Sequence, residues 1–117
     1  EAPDILVITY TPKWNLLDDK TLDTIENISK ELSSLEATQN VTSILTVPLL
    51  QSPVRPIKEL LNNIPTLKSP NIDKALVKQE LLNSALYKQN LVSKDFKTTA
   101  ILINLKSNLS KEINHQN

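Results

Sequence analysis

The rhythm of apolar and polar residues changes several times along the chain, and each change predicts an element. Ile5, Leu6, Val7 and Ile8 run without a polar break, and Thr9, Tyr10 and Thr11 extend them with β-favouring types. An unbroken run of this kind predicts a central strand over 4–11, covered on both faces. Pro12 ends it, because proline has no N–H to give to a ladder. Over 17–36 the spacing becomes three and four: Leu22, Ile25, Ile28, Leu32 and Leu35 form one stripe. Asp23, Glu26, Asn27, Lys30 and Glu31 fall off that stripe and read as a solvated helix face. Asp18 is placed to cap this helix, and Asp19 puts negative charge where the helix dipole favours it. Thr38, Gln39 and Asn40 are expected to end it, with Asn40 in the left-handed conformation. Residues 41–47, Val41 to Val47, then read as a second strand.

Beyond Val47, prolines punctuate the pattern. Pro48, Pro53 and Pro56 break regular structure, and Pro56 is suited to the first turn of a short helix from Ile57 to Asn62. Pro65 and Pro70 bracket a linker, after which Asn71 or Asp73 can cap a helix carrying Ile72, Ala75, Leu76, Leu82 and Leu86. Leu91-Val92-Ser93, a turn over Lys94 to Lys97, and a long strand over 98–106 predict a β-hairpin. In that strand Thr99, Ile101, Ile103 and Leu105 alternate with Ala100 and Leu102. The expected domain covers 1–106: a β-α-β unit over 4–48, a proline-rich connection over 48–71, a helix over 72–88 and the hairpin over 91–106. Residues 107–117 read as a frayed tail or the start of an excised helix. The order predicts an α+β two-layer sandwich with helices on one face of a four-stranded sheet, ferredoxin-like in topology.

Composition narrows the chemistry. The 117 residues carry 13 basic and 13 acidic side chains, so the basic excess usual in a nucleic-acid binder is missing and no nucleic-acid partner is expected. The strands also lack the stacking aromatics of an RNA-binding sheet. Glycine is absent, which excludes phosphate loops and dinucleotide fingerprints. Cysteine is absent too, and the single histidine, His115, lies in the terminal tail. No metal centre, cofactor site or nucleophile–base pair can be assembled from this inventory, so no catalytic residues are assigned and no enzyme is expected. Asn27-Ile28-Ser29, Asn40-Val41-Thr42 and Asn108-Leu109-Ser110 fit the glycosylation pattern, a chance match in an Asn-rich chain. No apolar run approaches the ~20 residues that span a bilayer. Without an initiator Met or leader, the chain reads as an excised piece of a longer protein.

Three stretches carry a family resemblance. The run Ile5-Leu6-Val7-Ile8-Thr9-Tyr10-Thr11-Pro12 stands directly before a capped helix. Val41-Thr42-Ser43-Ile44-Leu45-Thr46-Val47-Pro48-Leu49-Leu50 is similar to a V-x-S-[LIV]-x-x-V-P-L-L run. Leu91-Val92-Ser93-Lys94-Asp95, followed by Thr98 to Lys106, is similar to L-[VI]-S-x-D-G-x-[TA]-[TA]-A-[LI]-[LIV]-[LIV]-x-[LF]. Together, over about 4–106, they resemble the extracytoplasmic domain of a resistance–nodulation–division (RND) exporter of the MMPL type. Where that family often has Gly after the hairpin Asp, this chain has Phe96. Where it often has Pro-Gly after the first helix, this chain has Gln39-Asn40.

The resemblance implies a periplasmic or outer-face domain of an inner-membrane protein, between its first two membrane helices. Its implied partners are those membrane helices, a second extracytoplasmic loop domain, hydrophobic or lipid-like substrate, and further copies in a homo-oligomer. Proton coupling would reside in the membrane helices. The apolar residues outside the regular pattern, Trp14, Leu49, Leu50, Val54 and Ile57, are the candidates for a substrate cleft. The plainer reading has them filling the core under the proline-rich loop, with Trp14 as a lid. A free-standing ferredoxin-like domain that binds a small ligand or regulates is the alternative function.

Overall fold

The computed structural model describes residues 4–83 and 91–107. Three strands and three helices follow one another: β1 (Ile5–Tyr10), α1 (Asp19–Ser33), β2 (Thr38–Thr42), α2 (Ile57–Asn62), α3 (Lys74–Asn83) and β3 (Thr99–Leu105). The fold class is α+β. One three-stranded sheet has the order β1-β3-β2, and β3 runs antiparallel to both neighbours. The last strand in sequence is therefore the middle one in space. That placement fits its composition, since Ile101, Leu102 and Ile103 are all buried.

Three sequence expectations change here. Among the described residues the apolar run of β1 is an edge strand, not a central one, and Ile5, Leu6 and Val7 are exposed. A continuous apolar run reports β-propensity but not how many neighbours the strand acquires. Among the described residues the sheet has three strands, not four. Leu91 and Val92 contribute only an isolated bridge, Val92 to Thr99, with Ala100 N–H donating to Leu91 O at 2.9 Å. The second strand starts at Thr38 and ends at Thr42, about five residues before the expected end. Beyond it, hydroxyls compete with the ladder. Ser43 Oγ accepts from Leu45 N–H at 3.1 Å, and Thr46 Oγ1 accepts from Ser43 N–H at 3.0 Å. The N–H groups of Thr46 and Val47 both return to Ser43 O. The resulting turn sends Ile44, Leu45, Val47 and Leu49 into the core.

Helix α1 begins as expected, with the Asp18 carboxylate accepting from Lys20 N–H at 2.9 Å. It buries Thr21 and Ile25 and half-buries Leu22, Ile28 and Leu32. It ends earlier than expected: Ser34 donates its backbone N–H and its hydroxyl to Glu31 O, and Leu35 is left exposed. Thr38 to Asn40 then begin β2 rather than cap the helix, and Asn40 has no left-handed backbone.

Helix α2 starts directly after Pro56, as predicted, and α3 is capped by Asp73, whose Oδ1 accepts from Ala75 and Leu76 N–H. Its buried face is Val77, Glu80 and Leu81 rather than the expected stripe: Ala75 and Leu76 are exposed and Ile72 and Leu82 half-buried. Leu86, with the expected end of this helix at 88 and the tail beyond 107, lies outside the described residues. Lys74 ties α3 to the start of α1, donating to Leu17 O at 3.0 Å and to the Asp19 carboxylate at 3.1 Å.

The turn at 93–97 manages without glycine. Phe96 takes the left-handed conformation, φ 58°, at the position where glycine would be free to do so. A polar clamp holds it: Ser93 Oγ donates to Asp95 Oδ1 at 2.6 Å and accepts from Thr98 N–H at 3.0 Å. The Ser93 hydroxyl first, and Lys97 N–H second, hold the Asp95 carboxyl below its usual range. The Phe96 ring is buried, with Lys78 Nζ 5.5 Å from its centroid.

Candidate docking arm

Residues 50–72 form an excursion pinned at its base by a buried acid. Glu80 is only 6% exposed on the inner face of α3. Its Oε2 accepts from Leu50 N–H at 2.7 Å, and its Oε1 accepts from Gln51 N–H at 2.9 Å and Ser52 Oγ at 2.7 Å. A buried charge survives only when its lone pairs are met, and here three donors from consecutive residues meet them. The returning limb is tied back by Leu49 N–H to Pro65 O at 2.8 Å, Asp73 N–H to Ser52 O at 3.2 Å and Arg55 Nη2 to Asn71 O at 3.0 Å. Gln51 and Val54 pair across the turn that contains the cis Ser52–Pro53 bond.

What this base holds out is apolar. Val54, Ile57, Leu61 and Ile64 are 76%, 73%, 80% and 55% exposed, and α2 has no buried residue. Ile57 and Leu61 lie one turn apart on α2, while Val54 precedes Pro56 and Ile64 follows the extended Asn63, outside the helix. Single exposed apolar residues need no explanation, but a series of four on one short arm makes it the candidate interaction surface.

The five sequence candidates are therefore divided. Val54 and Ile57 sit together on the arm, and Leu50 is half-buried at its base. Leu49 is 1% exposed and belongs to the core. Trp14 lies on the loop between β1 and α1, 45% exposed, with Lys20 Nζ 4.9 Å from its ring centroid. It is not a lid. Leu16 and Leu17 close the core there, positioned by Asn15, whose Oδ1 accepts from Leu17 N–H and whose O accepts from Thr21 Oγ1.

Sequence reasoning missed Leu61, Ile64 and Glu80. Leu61 was legible as the residue one helical turn after Ile57, whereas Ile64 lies beyond the end of α2 and no periodic signal marks it. Glu80 follows Val77 by three positions and precedes Leu81, so the α3 stripe runs through it, but a carboxylate in a helix is usually solvated.

A second feature is a shallow groove of about 300 Å³ between α1 and 41–46, lined by Glu26, Ser29, Lys30, Val41, Leu45 and Lys68 among others. Lys68 Nζ lies 2.7 Å from Glu26 Oε2. That hydrogen bond, with the charges of Lys68 and Lys30, holds the Glu26 carboxyl below its ordinary range against partial burial. Ser29 Oγ in the groove is buried without a hydrogen-bond partner. Among the described residues no group of three His, Cys, Asp or Glu could hold a metal, and no helix is long and apolar enough to cross a membrane.

Comparison with protein-family models, with curated proteins and with solved structures gave no match.

Proposed function

We propose that this chain is an extracytoplasmic domain of a proton-driven RND-type exporter of the MMPL kind, and that it contributes to the passage or docking of hydrophobic or amphiphilic substrate. The observation that carries the reading is the arm: four exposed apolar side chains on a limb anchored to the body by a fully engaged carboxylate. An anchored limb of this kind offers apolar contact area at low ordering cost, which suits docking rather than bond-making. The resemblance supports it from another side. Its three stretches supply β1, the end of β2 with the buried Ile44, Leu45, Val47 and Leu49, and β3, so they meet in one sheet and core. On this proposal β1, α1 and β2, with β3 between the strands, are part of a ferredoxin-like porter subdomain.

Two experiments test the reading. The complete open reading frame should place an apolar segment of about 20 residues before Glu1 and several after Asn117. Flanks without such segments would eliminate the exporter. In vitro, a fluorescent naphthalene sulfonate should bind the chain and lose most of its signal when Ile57→Ser and Leu61→Ser are combined. Both side chains are exposed, so each substitution should leave stability within about 0.5 kcal/mol. Unchanged dye binding would remove the arm as the docking element. The groove beside Glu26 and Lys68 favours the second reading, a free-standing small-ligand module, and dye binding abolished by Lys30→Glu, at an exposed side chain of the groove, but not by the arm substitutions would select it.

A further inference from the structure

The groove between α1 and 41–46 brings charge, apolar surface and an unpaired hydroxyl together. It exists only in the folded chain, because its walls come from α1, from the turn after β2 and from Lys68 on the limb that returns from the arm. Glu26 is its acid, and Lys30 and Lys68 are its cations. Lys68 Nζ lies 2.9 Å from Glu26 Oε1 and 2.7 Å from Oε2, so that carboxylate is met on both oxygens. Lys30 Nζ reaches the same Oε1 only at 3.8 Å, too far for a hydrogen bond, and its side chain is 73% exposed. Two ammonium groups thus share one carboxylate that Lys68 already satisfies. One positive charge is left over, and it sits on Lys30.

The hydroxyl is that of Ser29. A serine or threonine inside a helix commonly turns its hydroxyl back to the carbonyl four residues earlier. Thr24 does so in this helix, donating to Lys20 O at 2.9 Å. Ser29 does not: its Oγ is buried and has no hydrogen-bond partner. Buried polar atoms without a bond are rare in folded chains, and each calls for an explanation. Ser33, one turn further on, sets a second hydroxyl on the same wall, and Val41 and Leu45 line the other wall with apolar surface. The volume of about 300 Å³ is at the small end of ligand pockets, so the space suits a single ring or a short chain.

We propose that this groove is a binding site for a small apolar monocarboxylate. Its carboxylate pairs with Lys30 and takes a hydrogen bond from the Ser29 hydroxyl, turned into the groove about χ1, while its apolar body lies on Val41 and Leu45. Lys68, held by Glu26, is a wall of the site and not the partner of the anion. A single negative charge neutralises the lining, whereas a dianion would leave it negative beside Glu26. The proposal gives the small-ligand reading its ligand class; it rests on the groove and is independent of the arm.

Amide NMR titrations with benzoate, benzamide and benzylammonium, alike in shape and different in charge, test this at neutral pH and low ionic strength. Expected is saturable movement of the Ser29, Lys30, Ser33 and Leu45 amides by benzoate, several-fold weaker binding of benzamide, and weaker binding still of benzylammonium. Lys30→Gln should weaken benzoate about 2- to 5-fold, as loss of an exposed ion pair does, with the fold intact because the side chain is exposed. Ser29→Ala should weaken benzoate while raising the melting temperature, two opposite effects that a purely structural serine would not give. Benzamide binding as well as benzoate, or benzoate binding indifferent to Lys30→Gln, would overturn the anionic class and leave a small-ligand groove standing. No saturable shift with any of the three would overturn the proposal and remove the groove as a site, with the arm and its own substitutions untouched.

Discussion

Replacing Glu80 with Ala removes both oxygens that hold residues 50–52. The three contacts, at 2.7, 2.9 and 2.7 Å, are hydrogen bonds to a charged acceptor. Such a bond contributes about 1.5–3 kcal/mol, and a buried donor stranded by its loss costs about 1–3 kcal/mol. The three sites are not equal. Gln51 is exposed, so water takes over there, whereas Leu50 is half-buried and Ser52 is buried. Against the loss stands the return of the carboxylate's own desolvation cost. The stranded donors win, and the expected net loss is about 2–4 kcal/mol. Total stability of such domains is about 5–15 kcal/mol, so this is a large share. In urea the midpoint should fall by roughly 1–2 M, taking a mid-range slope of about 2 kcal/mol per molar. Glu80→Gln keeps one acceptor for Gln51 and Ser52 but turns an amide NH₂ towards Leu50 N–H, and should cost about half as much. The local readout is amide exchange at Leu50 and Gln51, which should accelerate more than exchange in β3. If Glu80→Ala costs under about 0.5 kcal/mol and the Leu50 amide keeps its protection, the anchor is not an energetic feature of the fold.

Three further outcomes are expected. Phe96→Gly relieves a left-handed residue, a gain of about 1–2 kcal/mol, but removes a buried ring worth about 3–5 kcal/mol. Thermal melting should therefore show a net loss, and a stabilised variant would show that backbone strain outweighs packing. Ser29→Ala removes a buried hydroxyl without a partner and improves helix propensity in α1, so the melting temperature should rise, by about 0.5–1 kcal/mol in stability; a fall would reveal a bond the hydroxyl makes in solution. Lys68→Ala should return the Glu26 carboxyl towards its usual range, as followed by carboxyl NMR titration. Because the folded-state value is depressed, the ion pair stabilises above the unfolded carboxyl's range, and that contribution fades as pH falls through the folded value. The variant should lose this acid-side dependence, and an unmoved Glu26 titration would mean that Lys30 or helix position sets it.

Local chemistry alone determined a good deal of this protein. Asp18 capping α1, the α1 stripe of Leu22, Ile25, Ile28 and Leu32, Pro56 before α2, Asp73 before α3 and the turn at 93–97 all rest on neighbours within one or two turns, so the residues announce them. What tertiary structure decided is where each apolar run ends up. Ile5 to Ile8 look more buried than any other run, yet they form an edge, because occupancy of a sheet position is set by which strands arrive on either side. Ile44, Leu45 and Val47 have β-forming types, yet hydroxyl-closed turns and the core's demand for volume take them out of the sheet. Glu80 is the clearest case. Nothing within its own helix distinguishes it from a solvated acid, and its role exists only because residues 50–52, some thirty positions away, bring three donors to one buried carboxylate.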